Sequence, residues 1–397
     1  MTFRVLQGTD IVCFSSDWDQ DPLSKHHIIR RLAAGNRVLW VNSIGLRRPA
    51  VNSRDAQRAL AKLGRFCGRR TRAVAPGIIV LDPLVLPYHG NPVLDRFNAR
   101  WLSRQVNRAV AGLGFGRPVL LTFLPSMAGV CGRLGECLAV YYITDEFTKF
   151  TGHPAAAIER MEGDLIRHAD VVIASASELA AVKSRHGKPI TVIPHGVDHS
   201  HFSAALKIRA GQFPDDVRGI GRPVIGFYGE INDWIDTDML AALARLRPDW
   251  SLVLLGRIAA EAGNLDHLLK LPNVRWLGHK RYRELPAYCA AFDVALIPMK
   301  LNELTRSVNP LKLREYLAAG VPVVSARLPE VEPYGDAVKF ATTAEEYIKA
   351  IEKLLKSDRT TLAPKLSARV AGEGWDARAA EFGRLVEAAL ARKAGSG

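Results

Sequence analysis

Short continuous runs of Val, Ile and Leu alternate with helix-period segments along almost the whole chain, and the series breaks and restarts once. Runs of this kind fit parallel strands covered on both faces, and alternation with helices is the pattern of a doubly wound α/β sheet. The first series predicts strands at Ile11–Ser16, Arg37–Ser43, Gly77–Leu86, Pro118–Leu124, Leu138–Thr144, Asp170–Ala176 and Ile190–Pro194. Helical patterns fall between several of them, at Ser24–Ala34 and Ala155–His168 for example. Ala210–Arg222, rich in Gly, Pro and Asp, reads as a linker. A second series then predicts strands at Pro223–Tyr228, Ser251–Leu255, Val274–Leu277, Asp293–Pro298, Val321–Ser325 and Ala337–Phe340. The expected fold is two Rossmann-like doubly wound domains facing a cleft. They span 1–207 and 223–374, joined by 208–222, with a last helix at about 375–393 packing back on the first.

At 397 residues the chain suits two domains, each able to bury a core. No stretch reaches the roughly 18 apolar residues of a membrane span. The start, Met1 to Gly8, turns polar too soon for a signal peptide, so a cytoplasmic location is expected. The five cysteines form no CxxC pair, which points to reduced structural thiols and away from zinc. The net charge is +14, and residues 1–205 hold 26 Lys and Arg against 16 Asp and Glu. That half should meet something anionic.

The most informative segment runs from Asn309 to Val324, NPLKLREYLAAGVPVV. It reads as turn, helix, glycine stop and buried strand, with Pro310 in the first turn and Gly320 just past the end. Lys312 and Glu315 stand three apart and share a helix face. Free N–H groups and a lysine there attract phosphate, and a carboxylate one turn on can accept ribose hydroxyls. A surface Lys–Glu ion pair is the alternative.

This segment resembles the donor-site helix of GT-B glycosyltransferases, in particular the large retaining family numbered four. Val192-Ile193-Pro194-His195-Gly196-Val197-Asp198 with Phe202 is similar to the turn closing that family's N-terminal domain. Asn273–Gly278 resembles its strand before the base-binding loop. Gly226 through Glu230 to Asp233-Trp234 resembles relatives that build teichuronic-acid-type surface polysaccharides. The resemblance implies hexosyl transfer from a nucleotide-diphosphate sugar with retention of configuration, and no metal or other cofactor. It puts Lys312 on the diphosphate, Glu315 on the ribose and the loop His279, Lys280, Tyr282 on the base. Gly229, Glu230, Trp234, Arg257 and Asn309 complete the expected donor side. Two departures stand out. Ser307 takes the place of a glutamate usual in the family, and Glu230, Asp233 and Asp236 occupy the stretch where an Arg and a Lys are usual. Arg257 and Arg306 are then the candidate helpers for Lys312.

The first domain is expected to hold the acceptor. Asp17, Trp18 and His26 follow the first strand, and Asp145 and Glu146 end another, where open α/β sheets bind ligands. Asp145 is the candidate base or acceptor clamp, with Glu146 and His195 beside it as further catalytic candidates; a helix cap is the alternative for Asp145. The DxD patterns Asp17–Asp19 and Asp236–Asp238 read as turns or caps. His195, His199 and His201 read as a hinge turn rather than a metal cluster.

Arg54, Arg58, Lys62, Arg65 and Arg69 line one helical face, in a stretch whose one acid is Asp55; Arg96, Arg100, Arg104 and Arg108 recur every fourth residue. Helices around 54–72 and 96–108 are therefore expected to dock on an anionic membrane, at its inner face, near a lipid-linked or polysaccharide acceptor. A nucleic-acid partner is not expected, because no reading element accompanies the charge. A sugar-nucleotide epimerase of the same fold and a non-catalytic partner subunit are the competing readings, the latter because of Ser307.

Overall fold

A computed structural model describes residues 6–42, 71–85 and 91–395. The chain forms two compact units, residues 1–194 with 378–397 and residues 195–377. The helices discussed below are α1 (Ser24–Leu32), α2 (Pro92–Gly112), α3 (Ala155–His168), α4 (Ser177–Lys183), α5 (Leu311–Ala318) and α6 (Trp375–Gly395).

The first unit is built on a sheet whose described strands are β1 (Asp10–Ser15), β2 (Arg37–Asn42), β3 (Thr71–Ala75), β4 (Ile78–Leu81), β5 (Val119–Thr122), β6 (Leu138–Ile143), β7 (Val171–Ala174) and β8 (Thr191–Val192). Their order is β3-β4-β2-β1-β5-β6-β7-β8. All pair in parallel except β3 with β4. Every residue of β5, β6 and β7 is buried, as their unbroken apolar sequence requires. β3 is not evident in the sequence. It is an edge strand, Thr-Arg-Ala-Val-Ala, none of it buried, with a register shift between Ala73 and Ala75, so it lacks the apolar run that marks its neighbours. The chain leaves β1 to one side through β2 and to the other through β5. That reversal opens a crevice at the carboxyl ends of the strands, where α/β sheets take ligands.

The second unit repeats the plan with β9 (Val224–Tyr228), β10 (Ser251–Leu255), β11 (Val274–Trp276), β12 (Val294–Ile297), β13 (Val323–Ser325) and β14 (Val338–Phe340), ordered β11-β10-β9-β12-β13-β14 and all parallel. Its reversal falls between β9 and β12. The expected linker is not a linker. Ala210–Gln212 and Asp215–Arg218 fold as short helices, and Phe213 and Val217 sit in the second unit's core. Two apolar residues among the Gly and Asp were enough to anchor it, and the unit boundary lies earlier, after Pro194. α6 starts in the second unit and from Arg378 belongs to the first. No described helix is long and apolar enough to cross a membrane. The Arg54–Arg69 face expected to be helical lies outside the described residues.

Candidate functional site

Two glycines set the geometry of the second unit's crevice. Gly229 follows β9 and Gly256 follows β10. Gly256 has φ +136°, and a Cβ there would lie 1.8 Å from the Gly229 carbonyl oxygen. Only glycine allows this approach. It is held by backbone bonds from Gly229 N–H to the Leu255 carbonyl at 2.9 Å and from Gly256 N–H to the Gly278 carbonyl at 2.8 Å. Gly229 has φ +149°, and the place of its absent Cβ lies 3.0 Å from Lys312 Cε and 3.6 Å from Nζ. The lysine thus reaches over bare backbone at the end of the central strand.

Lys312 stands on α5, in the first turn after Pro310. Pro310 is the N-cap residue rather than the first helical one, and Gly320, at φ +72°, ends the segment as expected. One turn after Lys312, Glu315 accepts a 2.7 Å hydrogen bond from the Tyr228 hydroxyl. Tyr228 is in turn fixed by its backbone N–H, which donates to the Tyr316 hydroxyl at 2.8 Å. Burial pushes the Glu315 carboxyl above the usual carboxylate range, while Lys312, the Tyr228 hydroxyl and His201 pull it back. The pair is no solvated surface ion pair. Lys312 and Glu315 are half-buried, beside a strand end, at the sheet's reversal.

The other expected donor residues divide. Glu230 and Arg257 are exposed at the ends of β9 and β10, their backbones tied by Ile231 N–H to the Arg257 carbonyl at 2.9 Å. Trp234 is half-buried nearby in sequence, its carbonyl accepting from Lys300 N–H. His279 is exposed. Lys280 is committed elsewhere, paired with Asp216 at 2.5 Å. Tyr282 stacks on His201 with centroids 4.7 Å apart and planes 14° apart. Asn309 is buried and structural: it bonds Glu330 at 3.1 Å and accepts from Arg314 at 2.7 Å. Ser307 is buried beside it in sequence, and Arg306 is exposed. Tyr228 and Gly256 were not singled out from sequence, and His201 was read only as part of the hinge turn; the glycine after β10, matching the one after β9, was the available signal.

The three histidines of the hinge turn have separate partners. His199 Nε2 bonds the Ser367 carbonyl at 3.0 Å, His201 Nε2 the Tyr282 carbonyl at 3.0 Å, and His195 lies against Trp375, ring centroids 6.2 Å apart. They do not converge.

In the first unit, Trp18, His26 and Trp40 form one buried aromatic cluster, with centroids 5.0–5.4 Å apart. Burial drives the His26 imidazole down to about 4, so it is neutral at pH 7, and its Nδ1 accepts from Leu23 N–H at 3.1 Å. Trp18 and His26 therefore hold the first βα turn from inside; they are not open to an acceptor. Asp17 stays half-exposed and accepts from Asp19 N–H at 3.3 Å, the turn expected of that DxD. Asp236 caps a helix by accepting from Met239 N–H at 3.0 Å.

Adjacent Asp145 and Glu146 take opposite environments. Asp145, half-buried after β6, carries a charge felt by Lys25, at the start of α1; burial lowers the Lys25 ammonium and Asp145 raises it again. Glu146 is buried. Lys183 Nζ, itself 0% exposed, lies 2.6 Å from Glu146 Oε1 and 2.7 Å from Glu162 Oε2. Tyr141 and Thr148 hydroxyls donate to Glu162 and Glu146 at 2.7 and 2.6 Å. Glu146 thus anchors the loop after β6, and Asp145 is the less buried of the two carboxylates.

Two doubly wound sheets, parallel apart from the edge strand β3 of the first, each with its crevice at the strand reversal, are the GT-B architecture. Residues 222–357, which lie in the second unit, match the family described as "Glycosyl transferases group 1". Among named relatives, the chain is 30% identical over 207 residues to TuaH of Bacillus subtilis (strain 168), a protein named for teichuronic acid biosynthesis as a glycosyltransferase, covering 50% of this chain and 51% of that one. It is 28% identical over 184 residues to the lipopolysaccharide core biosynthesis mannosyltransferase LpsB of Rhizobium meliloti (strain 1021), covering 41% of this chain and 46% of that one. The chain thus spans about half the length of the curated relatives it matches. Among solved structures, the sucrose-phosphate synthase of Thermosynechococcus elongatus superposes with TM-score 0.72 at 17% identity, covering 97% of this chain and all of that one. Anabaena Alr3699/HepE, in complex with UDP and glucose, superposes with TM-score 0.67 at 15% identity, covering 95% and 98%. These two likenesses establish the fold.

Proposed function

We propose that this protein transfers a sugar from a nucleotide-diphosphate sugar to a hydroxyl of a lipid-linked or polysaccharide acceptor beside the inner face of a membrane. The observation that carries the reading is the juxtaposition of Lys312, Gly229 and Glu315 at the second unit's strand reversal. In the transfer, the bond from the anomeric carbon to the diphosphate oxygen breaks and the acceptor oxygen bonds to that carbon. Lys312 meets the negative charge that grows on the leaving diphosphate, where it lowers the barrier. Bare Gly229 lets a phosphate approach the backbone. Glu315 binds the ribose by charge-assisted hydrogen bonds, taking over or sharing the bond now made by Tyr228. The HepE complex with UDP and glucose supports this choice of donor, as does the match of this domain to the group 1 family. The anomeric configuration is retained in this reading, by resemblance to family four.

Calorimetry with nucleoside, nucleoside monophosphate and nucleoside diphosphate tests the donor site. Glu315→Ala should weaken all three by roughly ten- to a hundredfold, the value of a charge-assisted bond. Lys312→Ala should weaken the diphosphate far more than the nucleoside. Equal losses along the series for Lys312→Ala, or unchanged binding for Glu315→Ala, would place the donor elsewhere.

On the first unit, Asp145 is proposed to clamp the acceptor or take its proton. Asp145→Asn should lower kcat by at least tenfold while the diphosphate affinity changes less than twofold, the pattern of a group acting in the transition state. Unaltered turnover would return Asp145 to a loop-capping role.

A further inference from the structure

One face of α2 has no place in the reaction above. The residues that seat this helix are Ala99, Leu102, Val106 and Val110, all in the first unit's core. On the opposite side Val93, Phe97 and Trp101, each four residues from the last, stand 71%, 52% and 37% exposed. Four-residue spacing stacks them in one row along the helix. Phe97 and Trp101 lie parallel, planes 7° and centroids 6.5 Å apart, so the row is a continuous apolar ridge. Arg96, Arg100 and Arg104 form a second row beside it, and with Val93, Phe97 and Trp101 they line a shallow surface groove. Arg108 extends that row. Among the described residues no carboxylate pairs with any of the four, and the helix holds a single acid, Asp95.

We propose that this face of α2 seats the protein on an anionic lipid bilayer, with the Val93–Phe97–Trp101 ridge inserted at the level of the headgroups and the arginines on lipid phosphates. Charge complementarity selects the occupant. A second copy of this face would bring arginine against arginine. A bilayer offers apolar depth and phosphate at adjacent heights, which matches two rows lying side by side on a convex helix. Aromatic rings with exposed edges favour that boundary. Single-stranded nucleic acid favours a groove with separated stacking slots, and here the rings stack on each other. The ridge also changes what salt should do. Arginine attraction is screened as salt rises, but ring insertion is not, so binding should weaken with salt to a plateau rather than vanish. The face lies on the first unit, away in sequence from Lys312 and Glu315, so its failure would leave the donor reading intact.

The test is sedimentation of the full chain with vesicles of phosphatidylglycerol in phosphatidylcholine and of phosphatidylcholine alone, across a salt series. At low salt the wild type should pellet far more with the first than with the second, and at high salt the two should converge on the same plateau. Replacing Arg96, Arg100 and Arg104 together by Gln should weaken binding at low salt by about a hundredfold, from roughly 1 kcal/mol for each basic residue at an anionic surface. Phe97→Ser with Trp101→Ser should remove the plateau at high salt. Unchanged nucleoside diphosphate affinity and circular dichroism would show both variants folded. Absence of wild-type binding, or equal pelleting of wild type and both variants, overturns the proposal. So does a wild-type dimer that Phe97→Ser with Trp101→Ser makes monomeric without altering pelleting, or displacement from vesicles by single-stranded oligonucleotide and not by anionic lipid.

Discussion

Replacing Gly256 by Ala is expected to lower the unfolding free energy by about 3 kcal/mol or more and to abolish nucleoside diphosphate binding. Two penalties combine. At φ +136° a residue with a Cβ is strained by about 1–3 kcal/mol whatever surrounds it. The Cβ would also stand 1.8 Å from the Gly229 carbonyl oxygen, and that obstacle is backbone. It cannot rotate aside as a side chain can, because Gly229 N–H is bonded to the Leu255 carbonyl, the residue just before Gly256. The ends of β9 and β10 would have to separate, and Lys312, which lies over Gly229, would lose its floor. Gly187→Ala is the control. Its φ is +80° and ψ 18°, the left-handed helical region, and nothing lies within 4 Å of a Cβ there, so only backbone strain of about 1 kcal/mol should appear. Urea titration of both variants, with calorimetry at the donor site, separates the two penalties. Equal destabilisation by the two substitutions would mean that the close approach of the strand ends is relieved without cost.

The second large effect is expected in the first unit. Lys183→Met should destabilise by about 3–5 kcal/mol, because it leaves Glu146 and Glu162 buried without their cation. Both carboxylates are within 2.7 Å of the ammonium, and Lys183 and Glu162 side chains are 0% exposed. The exposed pair Lys270–Asp266 is the comparison: Lys270→Met should leave stability nearly unchanged. The sign with pH follows from the carboxyls. Burial already pushes Glu162 upward and Lys183 opposes it, so removing the lysine raises it further. A group whose folded value is raised binds more protons folded than unfolded, and stability then improves as pH falls through that range. The deficit of Lys183→Met should therefore shrink on acidification, and adding Glu162→Gln should recover part of it at neutral pH. A deficit independent of pH and of Glu162→Gln would reduce Lys183 to a packing contribution.

The elements with long, one-sided patterns were readable before any coordinates. Ala155–His168 is a helix over the very residues whose apolar period marks it, and the runs at Arg37, Leu138 and Ser251 are strands. Lys312 and Glu315 were readable as a pair because helix geometry fixes neighbours three apart. What stayed hidden depends on contacts between distant segments. Tyr228 and Glu315 meet across a separation of 87 residues, and Lys183 and Glu146 across 37, and no local period encodes either. Environment is hidden for the same reason. Asp145 and Glu146 are chemically similar neighbours, and only the burial of Lys183 against one of them tells which lies deeper. Trp18 and His26 carried polar atoms that suit a binding site, but their rings close an aromatic core with Trp40.

The first unit is interrupted in the chain by the second. Its closing piece is the part of α6 after Arg378, where Ala379, Ala380, Phe382 and Val386 are buried, and Lys393 pairs with Asp170 at 2.7 Å. A ribosome therefore delivers every residue of the second unit before the last buried side chains of the first. The second unit needs no residue beyond 377 for its core, while the first, with Asp145 and α2, keeps a hydrophobic seam open until the part of α6 after Arg378 packs on it. A released chain truncated after residue 377 should resist protease over 195–377 and remain cleavable within 1–194.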